Sequence, residues 1–326
     1  MLIKPEEIRY IMNFDDFKEK LELEFSEFGI IKTERYLKEA RVLNLAFPDI
    51  KYKHMIVVAL SYPKRIMKST KTELYASMYT FGKDYHLVLK EKMAKVMQGF
   101  DYEYEFAVDN HPFDERLAAQ LAGIGFFGKN QLIINPTYGS FIFLGIIFIN
   151  LDMDIEIIKK IDDSCGDCRI CIDSCPTNSL LNPGYDREKC ISDFNQTKKI
   201  LSETEIKVNY CIFGCDICQL VCPKNINIKP TTHDEFAFSG KEAIAIRDLL
   251  TLSEKQFKEK YEDMAYLWKG KTILMRNALT LLLRQHNSDF NDLIEQSIEK
   301  HQTPWYKITA QNILTKLDKN KKPQPE

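Results

Sequence analysis

Eight of the nine cysteines in this 326-residue chain fall into a pattern that few folds can absorb. The first run is Cys165-Gly-Asp-Cys168-Arg-Ile-Cys171-Ile-Asp-Ser-Cys175-Pro176, a C-x2-C-x2-C-x3-C-P sequence of the bacterial iron–sulfur kind. The second run, Cys215-Asp-Ile-Cys218-Gln-Leu-Val-Cys222-Pro223, ends the same way but lacks one cysteine at its start. Cys190, between the runs, supplies the missing thiolate. Eight thiolates match two [4Fe–4S] clusters with four ligands each. In two-cluster ferredoxins the last cysteine of each run ligates the other cluster. This assigns cluster I to Cys165, Cys168, Cys171 and Cys222, and cluster II to Cys175, Cys190, Cys215 and Cys218. The prolines after Cys175 and Cys222 turn the chain away from each cluster, because proline fixes φ and has no N–H to donate. Cys211 is left over: a buried or incidental thiol, or a competitor for a place in cluster II. A disulfide framework belongs to small secreted domains, and zinc usually takes C-x2-C pairs with histidines rather than a four-cysteine C-x2-C-x2-C-x3-C-P run, so both fit the pattern poorly. The chain reads as an electron carrier or a redox enzyme.

The formal charge of −2 excludes a global basic field, although local basic stretches occur at Lys198-Lys199, at Lys269-Gly-Lys271 and from Lys316 to Lys322. The decapeptide MLIKPEEIRY carries no apolar export core, and the apolar run from Phe141 to Ile149 is too short for a membrane helix. Oxygen-sensitive clusters without an export signal imply the cytoplasm and no membrane partner.

Three segments separate by composition. Residues 1–155 contain no cysteine and mix helix and strand patterns. Residues 14–28 place Phe14, Phe17, Leu21 and Phe25 at helical spacing, Met55–Leu60 and Phe141–Leu151 read as buried strands, and residues 84–99 resume a helical pattern. Residues 156–228 form a loop-rich cluster domain. Residues 229–326 are helical, with helices expected over 271–283, 292–300 and 308–317 and a disordered tail from Asp318. The expected class is α+β: an N-terminal α/β domain, a ferredoxin-like two-cluster domain and a short helical region of stacked hairpins.

Gly123-Ile-Gly125-Phe-Phe-Gly128 matches the dinucleotide pattern G-x-G-x-x-G. That fingerprint needs a strand before it and a helix opening within it. Here a helical pattern (Glu115 to Leu121) comes first and a strand-like one (Gln131 to Ile134) follows, which argues against NAD. Asp84-Tyr85-His86 starts like the cobalamin motif D-x-H-x-x-G, but Leu89 stands where the glycine belongs. His86 is therefore expected to pack or hydrogen-bond rather than to ligate cobalt, and His111 to be structural or an outer neighbour of Asp109. Asp109 by itself reads as an Asx turn before Pro112.

The ordered series is more specific than any of its parts. Tyr79-Thr-Phe-Gly82-Lys-Asp84-Tyr85-His86 leads to Val108-Asp109-Asn-His-Pro112 and Glu115-Arg116. Then come Ala122 to Asn130, Gly139 to Gly145, the first cysteine run and Arg187-Glu-Lys-Cys190-Ile191-Ser192. From about residue 50 to residue 223 this resembles the epoxyqueuosine reductases, cobalamin-dependent iron–sulfur enzymes of tRNA modification. Arg276-Asn277-Ala278 extends the resemblance weakly into that family's HEAT-like repeat. Lys224 and Cys211 depart from it, standing where the family usually has an aromatic and a basic residue.

The resemblance implies reduction of epoxyqueuosine to queuosine at the tRNA wobble position. It implies base-off cobalamin between the N-terminal and ferredoxin-like domains, a low-potential donor of flavodoxin or ferredoxin type, and a monomer. It makes Asp109 the proton donor, with a carboxyl expected to be raised by desolvation. Tyr79, Lys129, Asn130, Ser192 and Asp216 become the expected cofactor contacts. Two alternatives stay open: a reductive dehalogenase-like corrinoid enzyme acting on a small molecule, and an electron-transfer ferredoxin fused to a folding domain.

Overall fold

The computed structural model describes residues 14–181 and 183–321. The decapeptide read for an export signal lies outside them, as does the end of the expected tail. Packing divides the chain into two compact units that differ from the three sequential segments 1–155, 156–228 and 229–326. One unit takes the chain up to Tyr62, then Tyr85–Cys168 and Pro223–Asp234. The other takes Pro63–Asp84, Arg169–Cys222 and the chain from Glu235 onward.

The first unit is built on a four-stranded antiparallel sheet, in the order Glu27–Lys32, His54–Ser61, Ile142–Ile149, Tyr104–Ala107. All eight residues of His54–Ser61 are buried. Both faces of the sheet are covered, so its central strands read as unbroken apolar runs rather than alternating ones. On one face Met55, Val57, Ala59, Ile146 and Phe148 meet Tyr36 and Ala40 of the Thr33–Val42 helix and Leu117, Ala118 and Ala119 of the Glu115–Leu121 helix. On the other, Val58 and the unbranched Gly145 opposite it leave room for Leu89 and Met93 of the Tyr85–Met97 helix.

The helix expected over residues 14–28 stops at Glu24, and an edge strand begins at Glu27. Pairing with His54–Ser61 takes Phe28, Ile30 and Ile31 into the core, and this outweighs continuation of the helical spacing. Residues 223–234 return to this unit through side-chain bonds. Asn225 accepts from the Ser140 N–H and donates to its hydroxyl, both at 2.9 Å. Thr231 donates to the Ser61 carbonyl at 2.6 Å, and His233 Nε2 lies 2.8 Å from the Ser26 hydroxyl.

The second unit is mainly helical. Short helices Ile170–Asp173, Ile191–Phe194, Glu203–Val208 and Ile217–Leu220 run through the cysteine region, and Ile246–Thr251, Glu254–Lys260, Lys271–Arg284, Asn291–Lys300 and Pro304–Lys321 follow. The last of these runs through positions 318–321, so the expected disordered tail does not begin at Asp318. Ser202 and Ser253 start their helices with complete capping boxes. A two-stranded ribbon, Glu73–Tyr75 with Ala243–Ala245, draws residues 63–84 into this unit. Among the described residues no helix is long and apolar enough to cross a membrane.

Candidate active site

The four cysteines expected at cluster II, Cys175, Cys190, Cys215 and Cys218, all lie in the second unit. Burial pushes the Cys190 thiol up, and a thiolate at Cys175 pushes it further. Burial pushes Cys215 up to about 11, with Cys190 contributing. Cys218 is raised by burial and then by Cys215, Cys190 and Cys171. Cys175 itself ends below its ordinary value. Burial works against it, but the Thr177 hydroxyl and the N–H groups of Thr177, Ser179 and Leu180 outweigh that. None of the nine cysteines is in a disulfide. Cys175, Cys190, Cys215 and Cys218 are half-buried thiols that feel one another's charge, which suits iron: the metal replaces the protons and neutralises the sulfurs. Of the cluster I set, Cys165 and Cys168 lie in the first unit and Cys171 and Cys222 in the second. Cys165 Sγ accepts the Lys129 N–H at 3.4 Å. Cys211 is buried and donates its S–H to the Phe213 carbonyl at 3.2 Å.

The segments that carry these thiols are braced by Lys271–Arg284. The Arg276 side chain is wholly buried and, among the described residues, faces no carboxylate at hydrogen-bond distance. Its guanidinium donates to the carbonyls of Thr197 (2.6 Å), Lys199 (2.9 Å), Asn195 (2.9 Å) and Phe194 (3.3 Å). Asn277 donates to the carbonyls of Asn195 and Ile212. Asn195 in turn exchanges two bonds with the backbone of Gly214, one residue before Cys215. Gly214 has φ +79°, and a Cβ there would meet Ser77 and Tyr79 at 2.5 and 2.8 Å. Only glycine fits.

Three of the five expected cofactor contacts gather in the second unit. Gln196 donates toward Tyr79 Oη (3.4 Å) and to the Ser192 carbonyl (2.8 Å), linking Tyr79 with Ser192. Asp216 is buried, accepts the Met78 N–H at 3.1 Å and is bonded by the Ser77 hydroxyl. Burial pushes its carboxyl up to about 6, against those two bonds. Lys129 and Asn130 lie in the first unit. Asn130 is buried, and among the described residues its Nδ2 has no hydrogen-bond partner. An orphaned buried donor is costly, and an amide or phosphate oxygen of a bound cofactor would satisfy it. The residues present therefore fit a polar-fringed cofactor.

Two cavities flank the second-unit residues. One, of about 590 Å³, is lined by Cys190, Ser192 and Gln196 and by Arg187, Lys198, Trp268 and Lys269. Trp268 is half exposed, with the Lys269 ammonium 3.5 Å from its ring centre. The other, of about 580 Å³, has Met78, Phe81, Leu220 and Leu281 on its apolar side and Tyr210, Cys211 and Asp216 on its polar side.

Asp109 belongs to the first unit, on the loop that leads into Glu115–Leu121. Asp114 caps that helix, accepting from Arg116 and Leu117 N–H groups. Asp109 and Asn110 both take positive φ, 46° and 43°, and Asn110 N–H donates to Asp109 Oδ1 at 3.0 Å. The Tyr85 hydroxyl donates to Oδ2 at 2.9 Å, and His86 Nε2 lies 3.2 Å from the same atom. The Tyr85 ring stacks on His86 and on Phe143, at 4.0 and 4.2 Å. His111 bonds Glu115 at 3.0 Å, not Asp109. The expected rise of the Asp109 carboxyl does not occur in this arrangement. The His86 bond, helped by Tyr85 and the Asn110 N–H, outweighs burial and takes it down to about 2. The histidine expected to hydrogen-bond does so, to the proton-donor candidate itself. The glycine-rich stretch keeps the predicted order, with Gly123 (φ +71°) just past the helix Glu115–Leu121 and Ile133–Ile134 strand-paired after it. Sequence spacing does not single out Ser77, Gln196, Tyr210 or the Arg276 brace: Ser77 and Arg276 act on residues far along the chain, and Gln196 and Tyr210 belong to no motif of their own.

The two cysteine runs and the helix that braces them define a redox enzyme of the [4Fe–4S] double cluster class, and residues 164–225 match the 4Fe-4S double cluster binding domain. Residues 48–112 match the family described as epoxyqueuosine reductase QueG, DUF1730. The epoxyqueuosine reductase of Bacillus subtilis is 35% identical over 306 residues, covering 89% of this chain and 78% of that protein. That of Staphylococcus aureus is 30% identical, covering 91% and 80%. Against the Bacillus cereus relative, 37% identical, the alignment spans 71% of this chain and 63% of that protein. The solved epoxyqueuosine reductase of Streptococcus thermophilus aligns with a TM-score of 0.81 at 29% identity, over 96% of this chain and 91% of that one. An epoxyqueuosine reductase solved with an epoxyqueuosine-modified tRNA-Tyr stem loop aligns with a TM-score of 0.77 at 26% identity, over 94% and 98%. The chain belongs to the epoxyqueuosine reductase family.

Proposed function

We propose that this protein is a cytoplasmic tRNA epoxyqueuosine reductase, converting epoxyqueuosine to queuosine at the wobble position. The observation that carries the reading is the match to family members along nearly the whole chain, together with eight undisulfided cysteines in the double-cluster order. Cobalamin would find its contacts among Tyr79, Ser192, Asp216, Lys129 and Asn130. It would supply a low-potential nucleophilic metal centre, fed with electrons by the two clusters.

The chain's own residues do the rest. Asp109 supplies the proton that the opened epoxide oxygen needs. At neutral pH it is ionised while Tyr85 and His86 hold it, so it must leave them, or receive their proton, before it can act as an acid. Desolvation without those donors raises a carboxyl. A Bacillus subtilis structure of the family is described with its catalytic aspartate loop swung out of the active site, which agrees with a mobile acid here. Arg187, Lys198, Lys269 and the exposed Trp268 offer cations and a stacking surface to nucleic acid beside Cys190. The electron donor is of flavodoxin or ferredoxin type, and the enzyme works as a monomer.

The test is mass spectrometry of nucleosides from epoxyqueuosine-containing tRNA incubated with the reconstituted, reduced protein. Queuosine should form only when cobalamin is supplied. Conversion without cobalamin, or none with it, sinks the proposal.

A further inference from the structure

Tyr210 lies between the Glu203–Val208 helix and the second cysteine run. It packs against the buried cluster of Ile191, Phe194, Leu201 and Ile206. Among the described residues its oxygen has two hydrogen-bond neighbours: it accepts the Asp216 N–H at 2.8 Å and lies 3.4 Å from Cys215 Sγ. A phenol carries a single hydrogen. The amide already points its hydrogen at the phenol oxygen, so the phenolic hydrogen is left to the sulfur. Two restraints keep it there, the packed ring and the amide bond to the residue after Cys215.

We infer that Tyr210 tunes the reduction potential of cluster II through an O–H···S bond to Cys215. The inference rests on the proposed reading in which Cys215 ligates that cluster. Reduction adds one electron to the cluster and places more negative charge on its thiolate sulfurs. A hydrogen bond to one of them stabilises the reduced form more than the oxidised form, so the potential rises. At cluster I, the bond to Cys165 comes from the Lys129 backbone N–H, which a change at position 210 does not remove. Tyr210 thus offsets the two clusters by acting on one of them. The hydroxyl near Cys175 belongs to Thr177, two residues along the chain, and is independent of Tyr210.

The test is a redox titration followed by electron paramagnetic resonance on the full, reconstituted protein and its Tyr210→Phe variant. Phenylalanine keeps the ring and removes only the hydroxyl. The expected result is a cluster II midpoint shifted to more negative potential, an unmoved cluster I midpoint, and an unchanged content of about eight irons. A strongly coupled exchangeable proton seen by electron–nuclear double resonance in wild type should also be missing. Eight irons with an unmoved cluster II midpoint, or an equal shift of both clusters, overturns the inference alone. Fewer than about eight irons in wild type overturns the two-cluster reading and the inference with it. Tyr210→Met is the second variant. If both variants lose cluster II iron, the residue holds the fold rather than the potential, and the inference fails.

Discussion

At Asp109 the environment reverses what the residue type and its neighbours in sequence lead one to expect. A carboxyl near a cofactor is commonly raised by burial, but here three donors converge on it first. The folded value, about 2, lies below the ordinary 3.8. Ionised Asp109 therefore favours the fold fully above the ordinary value, and the contribution fades as pH falls through about 2. We expect carboxyl-carbon NMR of the cobalamin-free protein to show Asp109 titrating near that value. In a Tyr85→Phe/His86→Leu double variant it should move back toward the ordinary carboxylate range, and no movement would mean that these two side chains do not hold it. Asp109→Asn should keep iron and tRNA binding and lose roughly 10²–10⁴-fold in turnover, the usual scale for a general acid. Single-turnover kinetics at wild-type rate in that variant would move the proton source elsewhere.

Among the elements, the Lys271–Arg284 helix does more than cover apolar surface. Its apolar stripe is legible in the sequence, and so are the two central strands, because each is a contiguous, strongly patterned segment. The role of Arg276 is not. Its partners are main-chain carbonyls nearly eighty residues earlier, and backbone acceptors leave no trace in side-chain spacing. The edge strand Glu27–Lys32 is hidden for a related reason. Its residues continue a helical pattern, and only pairing with His54–Ser61 decides against it. The Arg276 brace predicts a specific failure. Arg276→Met leaves the carbonyls of Phe194, Thr197 and Lys199 without the guanidinium donor and should lower stability by about 1–3 kcal/mol or more, the scale for buried acceptors left unsatisfied, read as a lower urea midpoint. Asn195→Ala removes the two bonds to Gly214 and should reduce cluster II occupancy more than cluster I. Equal loss of both clusters would place Asn195 in general packing.

For the whole molecule, the double-cluster domain is legible in the cysteine runs alone, because cluster ligation imposes short, fixed spacings. The runs do not show how the chain is partitioned. Side-chain bonds from Asn225, Thr231 and His233 carry the segment after Cys222 back to the first unit, and no composition boundary marks that return. The partition sharpens the question of which cysteine serves which cluster. Cys175 belongs to the first run in sequence, yet it is the thiol whose charge Cys190 feels, and Cys190 acts in turn on Cys215 and Cys218. If ligation is crossed, Cys175→Ala should damage cluster II and Cys222→Ala cluster I, each leaving about four irons per chain. Cys215→Ala and Cys165→Ala provide reference spectra, one for each surviving cluster. The electron paramagnetic resonance spectrum of reduced Cys175→Ala should coincide with that of Cys215→Ala, and that of Cys222→Ala with Cys165→Ala. If instead Cys175→Ala matched Cys165→Ala, each run would hold its own cluster. Cys190 would then join Cys215, Cys218 and Cys222, and the charge it feels from Cys175 would reflect only the nearness of two neighbouring clusters.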